Sequence, residues 1–514
     1  MEARILWADD EIDLLKPHIL FLEQKGYQVE TSNNGRDAIE IAKNSHFDII
    51  FLDENMPGYT GLETLAFIKE NNPTVPVIMI TKSEEEHIME EAIGGQISDY
   101  LIKPVNPNQI LLSLKKNLQT KALVSQKNTS DYQMEFRQIG MRLNDRLDFD
   151  EWTEVYQKLV NWELKLENSG DTGMQEVFEM QKRDANTQFC RFVEDNYEDW
   201  VSGSSDAPLM SHNILEKRVM DSVGKEPVFL IVIDNLRFDQ WKILQPLISE
   251  YFTIESEELF YSILPTATHY ARNALFAGLM PSDIERKFPH LWLNENDEGG
   301  KNMKERDLFE TNLKRHGKDV KMSYNKVIKL DYARKMVEKF NDLLKNDINV
   351  LVYNFVDMLS HARTEMEVIK ELADDESAYR SLTKTWFEHS PLKELLQKIA
   401  EKKVKTFLTT DHGTIRVDHA VKIIGDRATN TNLRYKVGRN LDYNYKEVAE
   451  FENPEKIKLP KENMSSKFVF ATENNFFAYP NNFNHYANYY KDTFQHGGIS
   501  LEEVIIPFVT LKGK

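Results

Sequence analysis

Short apolar runs alternate with amphipathic segments over residues 1–120. Four of these runs have the length and composition of buried parallel strands, and the segments between them, such as Asp13–Lys25 and Gly35–Lys43, have helical spacing. This alternation predicts a parallel sheet with helices on both faces. The four runs are Ile5–Ala8, Ile49–Leu52, Val77–Ile80 and Tyr100–Ile102.

The pattern changes after about residue 120 and again after about residue 205. Strand-like runs disappear between those points, and apolar residues at helical spacing predict three helices, over Met134–Leu147, Trp152–Leu166 and Met174–Asp199. The polar stretch Ser202–Pro208 is typical of a linker. We therefore expect three regions, at residues 1–120, 121–205 and 206–514.

Strand and helix patterns alternate again after the linker, which predicts a second α/β domain. Central strands are expected at Val228–Ile233, Val350–Phe355 and Val404–Leu408. Further strands are expected at Lys467–Ala471 and Val504–Val509.

Composition favours a cytoplasmic protein of two or three domains, at 514 residues. The single cysteine, Cys190, excludes an internal disulfide and fits a reducing compartment. The longest apolar run, Val228–Ile233, is too short to cross a bilayer, and the acidic N-terminal sequence is not typical of a signal peptide. The net charge of -19 disfavours broad binding to nucleic-acid phosphates, although it is compatible with a local basic groove.

Five chemically matched residues follow the strands of the first region. Because ligands collect at the carboxyl ends of parallel strands, we expect these side chains to converge. Carboxylates at positions 9, 10 and 53 suit Mg²⁺, Asp53 can accept a phosphoryl group, and Lys103 and Thr81 can contact that group. The five residues are Asp9, Asp10, Asp53, Thr81 and Lys103.

These residues, with Tyr100 and the sequence Glu54-Asn55-Met56-Pro57-Gly58 after Asp53, resemble the receiver domain of two-component response regulators. The resemblance covers about residues 1–120 and implies a flavodoxin-like fold. It also implies phosphorylation of Asp53 by a sensor histidine kinase, and a coupled shift of Thr81 and Tyr100 that reports the phosphate.

A second set of metal-ligand types lies in the third region. Asp234 follows a predicted strand, Asp357 and His361 have the i, i+4 spacing of one helix face, and Asp411-His412-Gly413 follows another strand. Sorted by ligand type, Asp357, His361 and His496 form one site, and Asp234, Asp411 and His412 with the Thr268 oxygen form the other. Mixed Asp/His ligation suits two Zn²⁺ ions, with Mn²⁺ possible, in a phosphoryl-transfer site.

Thr268 is the candidate nucleophile of this site. It precedes an apolar helical segment, and the N-terminus of a helix favours an anionic phosphate. Thr266 is a rival two residues earlier. Substrate phosphate could be bound by Asn235, Arg272 or the basic stretch Arg434-Tyr435-Lys436, whereas we interpret Asp418-His419 as structural.

The order Asp, Thr, Asp-x-x-x-His, Asp-His, His resembles the nucleotide pyrophosphatase/phosphodiesterase branch of the alkaline phosphatase superfamily. Its spacing from nucleophile to glycine matches Thr268 to Gly278 and so favours Thr268 over Thr266. A sulfatase is excluded, because those enzymes need a modified Cys or Ser at this position. Local sequence over residues 206–514 resembles the PglZ subgroup.

The whole arrangement of receiver, helical linker and PglZ domain resembles PorX-type response regulators. This resemblance implies control of type IX protein secretion, binding to a secretion-system component or a sigma factor, and hydrolysis of nucleotide or oligonucleotide phosphodiesters. We expect phosphorylation to promote a homodimer, with the helical region transmitting the change.

Two other function classes are possible. A non-enzymatic adaptor would have lost metal ligands, whereas all seven candidate positions hold suitable residues. A DNA-binding regulator would be expected to carry a helix-turn-helix, which the sequence does not indicate.

Overall fold

A computed structural model describes residues 3–73, 75–82, 97–169, 172–366, 369, 373, 375–426, 429–461, 463 and 465–514. The chain divides into two compact units, Met1–Gln133 and Met134–Lys514. Among the described residues, no helix combines the length and the apolar character needed to cross a membrane.

The first unit contains a five-stranded parallel sheet in the order β2-β1-β3-β4-β5. Alternate residues of its central strands are buried in cores on opposite faces, which explains their continuous apolar runs. The strands are β1 (Arg4–Ala8), β2 (Gln28–Ser32), β3 (Ile49–Asp53), β4 (Val77–Thr81) and β5 (Asp99–Ile102), and the helices are α1 (Lys16–Gln24), α2 (Gly35–Asn44) and α3 (Gly61–Asn71).

Two local features of this unit differ from the sequence pattern. The edge strand β2 carries mostly polar, exposed side chains, so hydrophobicity does not reveal it. The helix predicted over Asp13–Lys25 begins as a 3₁₀ turn, Ile12–Leu15, before α1 starts at Lys16 with Pro17 in its first turn.

The helical region contains longer helices than the sequence predicts. Helix α4 runs without a break from Pro107 to Leu143, so the predicted start at Met134 and end at Leu147 are both wrong. Only Gly140 interrupts its run of residues that tolerate a helix, and Pro107 stands at its start. The next helices are α5 (Phe149–Ser169) and α6 (Thr172–Ser202), which contain the two other predicted segments.

The largest sheet of the second unit has six strands in the order β7-β19-β10-β6-β9-β8. Strands β10, β6, β9 and β8 are parallel, whereas β19 and β7 run antiparallel to their neighbours. The strands are β6 (Val228–Ile233), β7 (Phe252–Tyr261), β8 (Met322–Val327), β9 (Ile348–Tyr353), β10 (Lys405–Thr409), β11 (Ile415–Arg416), β12 (His419–Ile424), β13 (Tyr435–Gly438), β14 (Asp442–Tyr443), β15 (Val448–Phe451), β16 (Lys467–Ala471), β17 (Asn475–Ala478), β18 (Phe494–Gln495) and β19 (Ile505–Gly513).

The remaining described strands, β11 to β18, form smaller sheets, in which β11 pairs with β18 and the other orders are β14-β12-β17 and β13-β16-β15. The predicted strand Lys467–Ala471 is present as β16, but it pairs with β13 and β15 outside the main sheet. The helices are α7 (Ile214–Arg218), α8 (Phe238–Ser249), α9 (Thr268–Ala277), α10 (Pro281–Lys287), α11 (Glu305–Arg315), α12 (Leu330–Glu338), α13 (Phe340–Leu343), α14 (Phe355–Glu365), α15 (Glu376–His389), α16 (Pro391–Glu401), α17 (Phe483–Tyr490) and α18 (Leu501–Val504).

Candidate functional site

Three carboxylates meet at the carboxyl edge of the first sheet. Asp9 and Asp53 are buried and Asp10 is exposed, and one ligand oxygen of each lies within 4.8 Å of the others. Asp9 and Asp10 follow β1, and Asp53 ends β3, so the neighbouring strands bring them together. A set of carboxylate oxygens fits Mg²⁺.

Lys103 joins the two buried carboxylates of this cluster. Its Nζ lies 2.9 Å from Asp9 Oδ2 and 2.8 Å from Asp53 Oδ1. Burial raises the pKa of Asp53 above its ordinary value, and the hydrogen bond from Lys103 only partly offsets this. Thr81 is buried at the end of β4, and Tyr100, on the adjacent β5, is 42% exposed.

Asp234, Asp411 and His412 form a second cluster, at the carboxyl edge of the six-stranded sheet. All three are buried, and their ligand atoms lie within 4.8 Å of one another. Asp234 follows β6, and Asp411 lies two residues beyond the end of the parallel neighbour β10. Asp411 Oδ2 is buried without a hydrogen-bond partner. A buried carboxylate oxygen that lacks a hydrogen-bond partner and lies beside an imidazole fits a metal-binding role.

Asp357, His361 and His496 form a third cluster within the same distance limit. Asp357 Oδ1 lies 3.5 Å from His361 Nε2 and 3.6 Å from His496 Nε2, and it has no hydrogen-bond partner. Asp357 and His361 are one turn apart on α14. Burial and then the charge of Asp234 raise the pKa of Asp357 to about 6. Burial keeps the pKa of His496 well below its ordinary value, which favours the neutral imidazole that binds metals.

The two clusters of the second unit adjoin each other. The rings of His412 and His496 stack with their centroids 4.3 Å apart. One residue of each candidate ligand set therefore lies against one residue of the other, as a two-ion site requires.

Thr268 opens α9 beside the cluster of Asp234, Asp411 and His412. Its Oγ1 lies 3.1 Å from His412 Nε2 and 3.4 Å from Asp234 Oδ1. The rival Thr266 is fully buried, donates a hydrogen bond to the Gly498 carbonyl and accepts one from Gly497 N–H. The geometry therefore favours Thr268 as the threonine with a hydroxyl available to the clusters.

Arg272 and Asn235 lie behind the ligands. Arg272 is fully buried, 2.5 Å from Asp234 Oδ2 and 2.6 Å from Glu305 Oε1. Asn235 is also buried, and its side chain donates to Ser360 Oγ over 3.3 Å. Arg272 thus compensates two buried carboxylates, and Asn235 is held by Ser360, while binding of substrate phosphate by either residue stays a prediction.

The basic side chains of the stretch Arg434-Tyr435-Lys436 also bond to other groups of the fold. Arg434 is fully buried and pairs with Glu503 at 2.6 Å, and Lys436 is buried with its Nζ donating to the Asn430 carbonyl. Both basic side chains of this stretch therefore have structural contacts. Asp418, the first residue of the alternative Asp-His pair, forms an ion pair with Arg183 at 2.9 Å.

Sequence reasoning missed Asn354 and Glu305. Asn354 Nδ2 donates to Asp234 Oδ2 over 2.7 Å, while the other oxygen, Oδ1, is the one that contacts Thr268. Asn354 directly follows β9, and the strand-end rule would have found it. Glu305, at the start of α11, has no comparable sequence signal.

Three family models match successive parts of the chain. Residues 5–115 match the response regulator receiver domain, residues 122–201 the PorX response regulator linker domain, and residues 214–511 the BREX system PglZ alkaline phosphatase-like domain. The last match covers more than half of the chain.

Curated relatives match the receiver part. The chain is 32% identical over 129 residues to the transcriptional regulatory protein ResD of Bacillus subtilis, a match to 25% of this chain and 53% of that protein. It is 33% identical over 122 residues to the alginate biosynthesis transcriptional regulatory protein AlgB of Pseudomonas syringae, covering 24% of this chain and 27% of that protein. The chain thus spans about half or less of the length of these relatives.

Solved structures of receivers are also similar to this part. Chemotaxis protein CheY4 of Vibrio cholerae is 31% identical and covers 23% of this chain and 100% of that one, with a TM-score of 0.22. A CheY-like receiver from Methanospirillum hungatei is 27% identical and covers 23% of this chain and 96% of that one, with a TM-score of 0.23. The chain belongs to the PglZ alkaline phosphatase-like family, and it joins that domain to a response regulator receiver through a PorX-type linker.

Proposed function

We propose that this response regulator is a phosphorylation-controlled, zinc-dependent phosphodiesterase that cleaves nucleotide or oligonucleotide phosphodiesters. One observation carries the proposal. A half-buried threonine hydroxyl at a helix N-terminus lies 3.1 Å from a histidine and 3.4 Å from an aspartate of a candidate metal cluster, with a second cluster adjacent. Membership of an alkaline phosphatase-like family supports hydrolysis of phosphate esters.

Two zinc ions fit the donor sets. Asp234, Asp411 and His412 would hold one ion, and Asp357, His361 and His496 the other. When bound, the ions would neutralise substrate phosphate and lower the pKa of the Thr268 hydroxyl. Arg272 and Asn354 hold Oδ2 of Asp234, which leaves Oδ1 on the side of Thr268.

Thr268 would act as the nucleophile. The hydroxyl gives up its proton as its oxygen forms a bond to phosphorus, the bond from phosphorus to one ester oxygen breaks, and the departing alkoxide takes up a proton and leaves as an alcohol. The N-terminal N–H groups of α9 and the helix dipole stabilise negative charge on the phosphoryl oxygens. Water then attacks phosphorus, releases the phosphate monoester and restores the threonine hydroxyl.

The receiver would control this chemistry. Asp53 would take a phosphoryl group from a sensor histidine kinase, with Mg²⁺ held by Asp9, Asp10 and Asp53. Lys103, already within 3 Å of Asp53, would pair with the new phosphate. We further propose that phosphorylation promotes a homodimer and that the output is control of type IX secretion through a secretion-system component or a sigma factor.

Hydrolysis of bis-p-nitrophenyl phosphate by the full-length protein tests the proposal. We expect turnover that a chelator abolishes and added Zn²⁺ restores, followed by activity on at least one linear or cyclic nucleotide diester. The same panel is run after treatment with beryllofluoride, alongside the Asp53→Asn variant. Absence of turnover by zinc-loaded protein in both states would contradict the enzyme and favour the adaptor.

A further inference from the structure

Helix α6 of the linker region contacts two loops of the candidate site, the one that follows His496 and the one that leads to Thr268. Lys182, Asn186 and Cys190 occur at intervals of four residues, so they share one face of the helix. All three bond to the segment Ile499–Glu502, which follows His496. Farther along α6, the Tyr197 hydroxyl accepts a 2.8 Å hydrogen bond from the backbone N–H of Leu264, on the loop that leads to Thr268.

Asn186 makes two bonds to this segment. Its Nδ2 donates to Glu502 Oε2 over 3.0 Å, and its Oδ1 accepts from the backbone N–H of Leu501 over 2.8 Å. Lys182 Nζ lies 3.1 Å from Glu502 Oε1, and Cys190 Sγ donates to the Ile499 carbonyl. Glu502 is 4% exposed, so loss of these partners would leave a buried carboxylate without compensation.

The backbone around Glu502 supports the Asp411-His412-Gly413 turn directly. Gly413 N–H donates to the Glu503 carbonyl over 3.1 Å. A Cβ at position 413 would lie 1.9 Å from the Glu502 carbonyl oxygen, so only glycine fits against it. A displacement of Glu502 therefore moves the residue next to His412.

We propose that Asn186 and Lys182 are positioning residues, through which α6 holds Glu502, the His412 turn and the His496 loop in the arrangement that binds zinc. The identity of the metal rests on the proposed function. Because α6 lies between the receiver and the effector in the sequence, a small shift of this helix would alter zinc affinity and turnover together. Partners that orient metal ligands change affinity or activity by about 10–100-fold when they are lost.

Zinc affinity of the metal-free full-length protein, measured by competition with a chromogenic chelator, tests this role. We expect Asn186→Ala to bind zinc about 10–100-fold more weakly than the wild type. Asn196→Ala is the matched control, because Asn196 lies on the same helix and bonds to the Phe192 carbonyl within it. Equal zinc affinities for the two variants would overturn the proposal.

An exchange of the amide and the carboxylate between positions 186 and 502 distinguishes a positioning role from a general folding defect. Asn186→Asp places two carboxylates against each other, and addition of Glu502→Gln restores one carboxylate and one amide. We expect the single variant to lose zinc affinity and the double variant to recover it to within about threefold, since the two positions act as a coupled pair. No recovery would contradict the proposal.

Kinetics give a second readout. We expect Asn186→Ala to lower kcat with little change in KM, because the substrate-binding surface is retained. A wild-type protein that binds zinc but cleaves no phosphodiester would refute the proposed function alone, and the zinc affinities would still decide the role of Asn186.

Discussion

The receiver centre and the effector centre both place carboxylates at the carboxyl edge of a parallel sheet, but they are assembled differently. The receiver cluster comes from the ends of two adjacent strands, β1 and β3. The effector clusters add a helix, α14, and a loop near the C-terminus to the ends of β6 and β10. The receiver centre is therefore self-contained, whereas the effector centre depends on segments distant in sequence, and on the linker helix that contacts them.

Charge compensation also differs between the centres. In the receiver, Lys103 is 13% exposed and contacts both Asp9 and Asp53. In the effector, the fully buried Arg272 pairs with Asp234 and Glu305. A cation at a hydrated edge can exchange carboxylate for an incoming phosphoryl group, whereas an enclosed cation holds its ligands in place.

Replacement of the nucleophile should have the largest effect and should act on one centre alone. We expect Thr268→Val to reduce phosphodiester hydrolysis by at least about 10³-fold, since loss of a nucleophile removes the covalent route. Phosphorylation of Asp53 by acetyl phosphate, measured on a Phos-tag gel, should be unchanged.

Thr266→Val is the matched control for this change. It removes two buried hydrogen bonds and should lower the free energy of unfolding by about 1–3 kcal/mol while hydrolysis persists. A greater loss of turnover in Thr266→Val than in Thr268→Val would reverse the assignment.

The next largest effect should be the loss of one kind of metal from one centre, with metal binding by the other centre unchanged. His412→Ala should weaken zinc binding at least about 100-fold and leave Mg²⁺ binding by the receiver unchanged, because imidazole favours zinc and carboxylates favour magnesium. Asp9→Asn should weaken Mg²⁺ binding by the receiver and leave zinc binding unchanged. Isothermal titration with each metal checks both results, and loss of both metals in either variant would contradict the independence of the centres.

Replacement of Arg272 and replacement of Lys103 by a neutral residue should lower the free energy of unfolding by different amounts. Arg272→Met removes the arginine partner of two buried carboxylates, and we expect a loss of about 3–5 kcal/mol. Lys103→Met, at a partly hydrated edge, should cost about 1–2 kcal/mol. Urea unfolding without added metal measures both, and equal losses would show that the two cations are equally enclosed.

Stability below neutral pH should fall because of His212 in the effector unit. Burial lowers the pKa of His212 to about 4 from an ordinary value of 6.5. Between these values the unfolded chain binds the proton and the folded chain does not, so stability present above pH 6.5 is lost as pH falls towards 4. The loss is about 1.4 kcal/mol per pH unit, and His212→Phe should flatten this slope in urea unfolding. An unchanged slope would contradict the assignment.

The central strands and the residues at their ends could be predicted because both faces of the sheets are buried. Continuous apolar runs such as Val228–Ile233 follow from that burial, and ligand-type residues directly after them mark the carboxyl edge. The structure brings the predicted sets together, while their roles as ligands and nucleophile stay predictions.

Other features could not be predicted because tertiary contacts decide them. Arg434 and Arg272 are charged in the sequence and fully buried in the fold, where carboxylates from other elements compensate them. The polar edge strand β2 has no hydrophobic signal. The contacts of α6 with Glu502 join residues more than 300 positions apart, which local patterns do not reveal.

Identification of the covalent intermediate tests the central claim most directly. Zinc-loaded protein is mixed with bis-p-nitrophenyl phosphate, quenched in acid within one turnover and digested for mass spectrometry. The account predicts a p-nitrophenyl phosphoryl adduct on Thr268, which keeps one of the two ester groups and is absent from Thr268→Val and from metal-free protein. An adduct on another residue, or full turnover by Thr268→Val, would contradict it.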